Sequence, residues 1–299
     1  MAEKRTVVII AGPTAVGKTS VAIQIAQQLN TEIISADSRQ CFRELKIGVA
    51  RPSEEELHTV KHHFIASHSI HEKITAATFE SYALQKTEAL LQQYGTVVMV
   101  GGTGLYIKAF TEGLDEIPEV PEHIHNETIV AYQENGLEWL QAEVQRLDPL
   151  YYAAGEVLNP QRLMRAFEVF KATGQSILRF RKGEKKERPF NIVKIGLALP
   201  REELHRNINA RTGQMMENGL LEEARSLIPY QHLNALQTVG YRECFAQFKG
   251  EMTTAQTVED IRKHTRQYAK RQMTWFRKDP AFQWTLPDAG SVMKVLVSR

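Results

Sequence analysis

Eight residues near the start of the chain, Gly12-Pro13-Thr14-Ala15-Val16-Gly17-Lys18-Thr19, match the spacing G-x-x-x-x-G-K-[ST] at every fixed position. The pattern constrains the fold because it works only between a strand and the helix that follows it. Both neighbours are predicted: Thr6-Val7-Val8-Ile9-Ile10 is a β-branched apolar run of buried-strand type, and Ser20 to Leu29 is rich in Ala, Ile, Gln and Leu. In that setting the glycines let successive backbone N–H groups point into one concavity, and the helix N-terminus adds partial positive charge. Lys18 then reaches a terminal phosphate, and the Thr19 hydroxyl is a ligand for a Mg²⁺ that bridges phosphate oxygens. The loop predicts an α/β fold with a parallel sheet of the P-loop NTPase kind.

The 299 residues suffice for one large α/β domain with an elaboration, and 42% hydrophobic residues exclude disorder. No run approaches the roughly 18 apolar residues of a membrane span, and Met1-Ala2-Glu3-Lys4-Arg5 leads into the first strand without the apolar stretch of a signal peptide. A cytoplasmic protein without membrane attachment is the expectation. The two cysteines, Cys41 and Cys244, lack CxxC or zinc-type partners and read as free thiols. A net charge of +2 does not by itself indicate a nucleic-acid partner, so the distribution of charge has to decide.

Along the chain, Thr31 to Asp37 predicts a short strand that delivers an acid at its carboxyl end, the edge that faces the ligand crevice in an open parallel sheet. Asp37 is open to three roles there: metal ligand through water, general base, or cap of the next segment. Five of the ten histidines lie between His58 and His71, and His58 with His62 has helical spacing, but no Glu completes a metal-binding motif. Packing or solvated histidines are the preferred reading over zinc. A helix is predicted over 78–94, then a buried strand Val97-Val98-Met99-Val100 that runs into Gly101-Gly102-Thr103-Gly104. Many phosphate-loop ATPases place an Asp at this position. Glycines instead allow close approach of a ligand, with Thr103 as a hydrogen-bonding group, or simply a tight βα turn.

From Thr111 to about Arg181 helix follows helix without an evident strand, so the expected organisation is a core of residues 1–112 and 184–299 interrupted by a helical insertion, 113–183. Pro118 and Pro121 mark its entrance; Gly174 and the charged run Arg179 to Lys186 mark its exit. Within it, Asn159 is placed to cap a helix with Pro160 at its first position, leaving Arg162 and Arg165 on one face. Strand composition returns over 192–198, a helix over 204–216 carries Arg206 and Arg211, and another helical stretch opens at Thr238 to Glu243. The helix over 258–278 is the most one-sided element. Ile261, Thr265, Tyr268, Ala269, Gln272 and Phe276 share one side, Arg262, Arg266, Lys270 and Arg277 another, and Ile261 to Lys278 holds seven Lys or Arg without one Asp or Glu. Such a face suits a phosphate backbone.

Taken together, GPTAVGKT from Gly12, ISADSRQ from Ile34, IGVARP from Ile47, VGGTGLY from Val100, NPQRLMRAFEV from Asn159, VGYRE from Val239 and TRQYAKRQMTWFR from Thr265 resemble one family, the tRNA dimethylallyltransferases. The islands run in order through nearly the full length. Val49 stands where the family usually has Thr, and Phe42 where it has Tyr; no cysteine/histidine finger is present, so the chain is similar to the compact bacterial form. The resemblance implies transfer of a dimethylallyl group from its diphosphate to N6 of the adenosine 3′ to the anticodon of tRNA, by a monomer with Mg²⁺ as cofactor. It implies that Gly12, Pro13, Thr14, Ala15, Val16, Gly17, Lys18 and Thr19 hold the diphosphate, with Thr19 on the metal. Asp37 becomes the general base, supported catalytically by Thr103, Lys18 and Arg211. Contacts to the tRNA anticodon stem-loop are implied for Asp37, Ser38, Arg39, Gln40, Thr103, His125, Gln161, Arg162, Leu163, Met164, Arg165, Gln237, Gly240, Tyr241 and Arg242, and the one-sided helix adds Arg262, Arg266 and Lys270. A small-metabolite kinase shares the loop but would not require the insertion or the basic helix. A prenyltransferase of free adenine nucleotides is the nearer rival, and a non-enzymatic RNA-binding module leaves the loop and Asp37 without a role.

Overall fold

The computed structural model describes residues 5–298. In chain order the elements are β1 (Thr6–Ala11), α1 (Lys18–Gln28), β2 (Ile33–Ser35), α2 (Glu54–Thr59), β3 (His62–His63), α3 (Ala76–Tyr94), β4 (Thr96–Gly101), α4 (Gly104–Glu112), α5 (Glu122–Leu147), α6 (Pro149–Ala154), α7 (Pro160–Thr173), β5 (Asn191–Leu197), α8 (Arg201–Glu217), α9 (Leu220–Ser226), α10 (Tyr241–Phe248), α11 (Thr254–Phe276), β6 (Phe282–Thr285) and α12 (Ala289–Val297). The strands form one sheet in the order β3-β2-β4-β1-β5-β6, parallel throughout.

Because helices cover both faces of a parallel sheet, its central strands must be apolar on both sides. β1 shows this directly. Val7, Ile9 and Ala11 enter one core with Phe79, Ala83, Tyr106, Phe110 and Tyr241, while Val8 and Ile10 enter the other with Ala22, Ile25, Ile208 and Val292. Burying such aliphatic side chains stabilises by roughly 1.5–3 kcal/mol each. The sheet is a P-loop NTPase-like α/β core, with the phosphate loop leaving the carboxyl end of β1.

The chain divides into two compact units: the described residues through Thr111 together with those from Glu187 onward, and Glu112–Lys186. The second unit is helical. α5 is bent at Gly136 (φ 76°), and Leu140, Val144, Tyr151, Leu163, Phe167 and Ile177 form a core of its own. The start of α7 follows the sequence: the Asn159 side chain accepts the Arg162 N–H at 3.2 Å, Pro160 occupies the first position, and Gly174 (φ 69°) closes the other end.

Three elements differ from expectation. α2 stops at Thr59 and His62–His63 form the edge strand β3, so His58 and His62 do not share a helix face. Among the described residues no group of three or more His, Cys, Asp or Glu is placed to hold a metal. Tyr268, expected on one side of α11 with Ile261 and Phe276, is 37% exposed where those two are buried. β6 and α12, near the end of the chain, extend and cover the sheet beyond β5. No described helix is long and apolar enough to cross a membrane.

Candidate active site

Strand order decides what the carboxyl edge of the sheet presents. β4 lies between β1 and β2, so the turn after β4 sits between the phosphate loop and the Asp37 turn. The approach is close: a Cβ on Gly101 would lie 2.1 Å from the Ala36 carbonyl oxygen, so only glycine fits there. The glycines after β4 thus bring strand ends together within the protein, and the chain turns straight into α4. Thr103 locks the junction. Its N–H donates to Ala36 O at 3.2 Å, its Oγ1 accepts the Ser38 N–H at 3.0 Å, and its hydroxyl donates to Ser38 Oγ at 3.3 Å.

Asp37 opens the next turn. Its Oδ1 accepts the N–H groups of Arg39 (2.8 Å) and Gln40 (3.1 Å), which is the capping role. Its Oδ2 accepts no hydrogen bond from the described residues. Gln40 also lines the cavity described below, and its amide donates to Val49 O (3.2 Å) and Ala50 O (2.9 Å). Arg39 donates to Asn234 Oδ1 at 3.2 Å.

The phosphate loop is braced on several sides. Gly17 (φ 96°) turns it into α1, the Lys18 ammonium donates to Pro13 O at 2.8 Å, and Arg211 on α8 donates to Thr14 Oγ1 at 2.5 Å. Asn207, one turn earlier on α8, donates to Ala15 O at 3.2 Å. Gln272 on α11, only 6% exposed, accepts the Thr14 N–H at 2.8 Å and donates to Gly102 O at 2.9 Å, tying the loop to the turn after β4. Asn207 and Gln272 are site residues that sequence reasoning did not single out. The signal for Gln272 was a polar residue on the buried side of an amphipathic helix.

These residues open on a cavity of about 730 Å³, lined among others by Thr14, Lys18, Thr19, Asp37, Arg211 and Tyr268. Charge in it is poised for an anion. Burial pushes the Lys18 ammonium down to about 8, with Asp37 opposing and Arg211 reinforcing the shift. Burial lowers the Arg211 guanidinium also, with Asp37 again opposing. Burial, helped by the Asp37 charge, pushes the Tyr268 phenol up to about 12, so it stays a neutral hydroxyl. The Thr19 hydroxyl and the Asp37 carboxylate are among the oxygen donors that line the cavity. Mg²⁺ commonly takes one or two protein ligands and fills its octahedron with phosphate oxygens and water, so this donor set fits it.

The remaining expected contact residues divide. Gln237 and Arg242 line a separate cavity of about 570 Å³ that also has His232, Phe245 and Lys249 on its wall. Leu163 and Tyr241 are fully buried, one in the helical unit and one under the sheet, so the expectation of RNA contact is corrected for their side chains. Gly240 is also buried. In the helical unit Gln161 and Arg162 are exposed and Met164 is half-buried; Arg162 pairs with Glu156, Arg165 donates to Pro118 O, and His125 Nδ1 donates to the carboxylate of the buried Glu168 at 2.8 Å. On α11, Arg262 pairs with Glu259 at 2.5 Å and Arg266 donates to Asn209 at 3.0 Å, while Lys270 is exposed. Arg277 lies over the Trp284 ring at 5.9 Å, so three of the four side chains of the expected basic face are engaged within the protein.

Residues 40–279 match the family model described as IPP transferase. This chain belongs to the IPP transferase family. It is 48% identical over 275 residues to the tRNA dimethylallyltransferase of Christiangramia forsetii, covering 92% of this chain and 91% of that protein. Its structure superposes on the full-length tRNA isopentenylpyrophosphate transferase of Bacillus halodurans with a TM-score of 0.70 at 32% identity, covering 99% of this chain and 94% of the other. A eukaryotic dimethylallyltransferase acting on tRNA shares the fold, with a TM-score of 0.77 at 22% identity over 95% of this chain and 74% of its own. Family members are transferases by name, and in this chain Lys18, Asp37 and Arg211 line the cavity just described.

Proposed function

We propose that the chain transfers a dimethylallyl group from dimethylallyl diphosphate to N6 of the adenosine adjacent, on the 3′ side, to the anticodon of tRNA. The observation that carries this reading is the single cavity shared by the phosphate loop and Asp37. Alkylation of an exocyclic amine releases a proton that needs an acceptor, and Asp37 stands in the same cavity as the loop that would hold the leaving diphosphate.

The step balances as follows. The C1–O bond of the prenyl diphosphate breaks with its electron pair on the diphosphate, the N6 lone pair forms the new N–C bond, and the N6 proton passes to Asp37 Oδ2. The departing charge is met by the loop N–H groups, Lys18 and Arg211. Thr19 would hold a Mg²⁺, which supplies further stabilisation of the leaving diphosphate. Thr103 serves by fixing Ser38, and so the turn that aims Asp37. On the RNA side, the exposed Lys270 suits a phosphate contact and the exposed Gln161 a polar contact to an unstacked base.

The relatives named tRNA dimethylallyltransferase support this reading. It is tested by incubating the protein and Mg²⁺ with unmodified tRNA and dimethylallyl diphosphate, digesting the RNA and weighing its nucleosides. A prenylated adenosine is the expected product. Unchanged tRNA with prenylated AMP, ADP or ATP in parallel reactions would move the acceptor to free nucleotides, and phosphate transfer from ATP would replace the reading altogether.

A further inference from the structure

The loop over 46–51 lines the cavity through Lys46, Ile47, Val49, Ala50 and Arg51, yet belongs to no helix or strand. It is closed on itself by the Ala50 N–H to Ile47 O and the Arg51 N–H to Lys46 O, both 3.0 Å, with Ala50 in the left-handed region (φ 48°). A loop of this kind needs an outside support to hold one position. Glu223, on α9, provides it. Its Oε2 accepts the N–H groups of Lys46 (3.1 Å) and Ile47 (2.8 Å), while its Oε1 accepts the Gly48 N–H (2.9 Å) and the Tyr241 hydroxyl (2.6 Å). Four donors converge on the roughly four lone-pair sites a carboxylate has. The Tyr241 ring closes the other side: a Cβ on Gly48 would lie 2.6 Å from it.

The opposite edge of the same loop is held by the Gln40 amide on Val49 O and Ala50 O, and the Gln40 N–H is one of the two that fix Asp37 Oδ1. A continuous chain of hydrogen bonds therefore runs from α9 through the 46–50 loop and Gln40 to Asp37. It spans 175 to 177 residues of sequence in its first step alone. We propose that Glu223 is a positioning residue of the reaction: by gathering the Lys46, Ile47 and Gly48 amides against Tyr241 it sets, through Gln40, the orientation in which Asp37 is presented to the acceptor. The mechanistic half of this rests on Asp37 acting as base; the structural half does not.

The experiment uses the full chain with Glu223→Gln, an isostere whose NH₂ would face N–H donors where an acceptor is required, and Tyr241→Phe, which keeps the buried ring and removes one donor. Hydrogen exchange is read first. The expected result is at least tenfold faster exchange at residues 46–48 and 39–40 in Glu223→Gln, with residues 13–18 unchanged and the affinity for inorganic pyrophosphate, measured by calorimetry, within twofold of the parent. Unchanged exchange at 46–48, or acceleration spread equally over the phosphate loop, overturns the proposal whether or not the protein transfers a prenyl group. In the transfer assay kcat should fall at least tenfold with KM for the prenyl diphosphate little changed, and Tyr241→Phe should lie between. Since Glu223 and Gln40 act through one loop, the losses from Glu223→Gln and Gln40→Ala should not multiply in the double variant; multiplicative losses would overturn the route through Gln40. Absence of transfer by the parent protein would count against the function alone, because the exchange result decides the loop.

Discussion

Replacing Gln272 by Leu removes two hydrogen bonds from the most enclosed corner of the site while keeping the side-chain volume close. The Thr14 N–H (2.8 Å) and the Gly102 carbonyl (2.9 Å) each lose their partner, in a place where the side chain is only 6% exposed and water has little access. Leaving a buried polar group unpaired costs about 1–3 kcal/mol, so two of them destabilise by about 2–6 kcal/mol, reduced by the apolar packing that Leu gains. For a protein of this size a loss of 1 kcal/mol lowers Tm by about 2–4 °C. A net loss of about 3 kcal/mol therefore corresponds to a fall of roughly 6–12 °C. Thermal unfolding followed by circular dichroism measures it. Gln272→Glu is the companion: it can still accept from Thr14 but cannot donate to Gly102, and it adds negative charge beside the phosphate loop. Its pyrophosphate affinity should fall about tenfold, equivalent to 1.4 kcal/mol. A Tm within 2 °C of the parent for Gln272→Leu would refute the claim that this side chain braces the loop, and unchanged pyrophosphate affinity for Gln272→Glu would refute its placement beside the anion.

Three further outcomes follow from the same geometry. Gly101→Ala puts a methyl 2.1 Å from the Ala36 carbonyl oxygen, so β4 and the end of β2 must part; we expect loss of more than 3 kcal/mol in urea unfolding. Lys18 releases its proton near 8 when folded but holds it to about 10.5 when unfolded, so between these values the unfolded chain binds more protons and stability should rise with pH; Lys18→Met should flatten that part of the urea-midpoint profile relative to the parent. Since Lys270 is exposed and Arg262 is paired with Glu259, Lys270→Ala should reduce the slope of log affinity for tRNA against log salt by about 1, and Arg262→Ala should leave the slope unchanged.

Much of the core was legible because its signals are local. The strand-loop-helix around Gly12–Thr19, the Asn159-Pro160 helix start and the amphipathic pattern of α11 each follow from residues within a few turns of one another. The edge strand β3 was not, since two histidines carry no strand signal; His63 sits there through Ile34, its partner on β2, and through its 2.5 Å contact with Glu32. The candidate site was half legible. Lys18, Thr19, Asp37 and Arg211 announce themselves by charge or motif, but the groups that aim them are distant in sequence: Gln272 meets Thr14 across 258 residues and Asn207 meets Ala15 across 192. Helical-wheel reasoning also grouped Tyr268 with Ile261 and Phe276 on one side of α11 and Arg262 with Arg266 and Lys270 on another. The fold instead turns Tyr268 to the cavity and gives Arg262 a partner, and neither outcome is written in periodicity.

The central claim is that Asp37 takes the proton from the acceptor amine while the phosphate loop holds the diphosphate. The direct test is Asp37→Asn, which keeps an oxygen to accept the Arg39 and Gln40 N–H groups, and so preserves the turn, but cannot take up the proton. Single-turnover transfer to tRNA should fall by about 10²–10⁴-fold, while the affinities for tRNA and for pyrophosphate stay within twofold of the parent. Transfer within tenfold of the parent would contradict the account, and so would a loss explained entirely by weaker binding of either substrate.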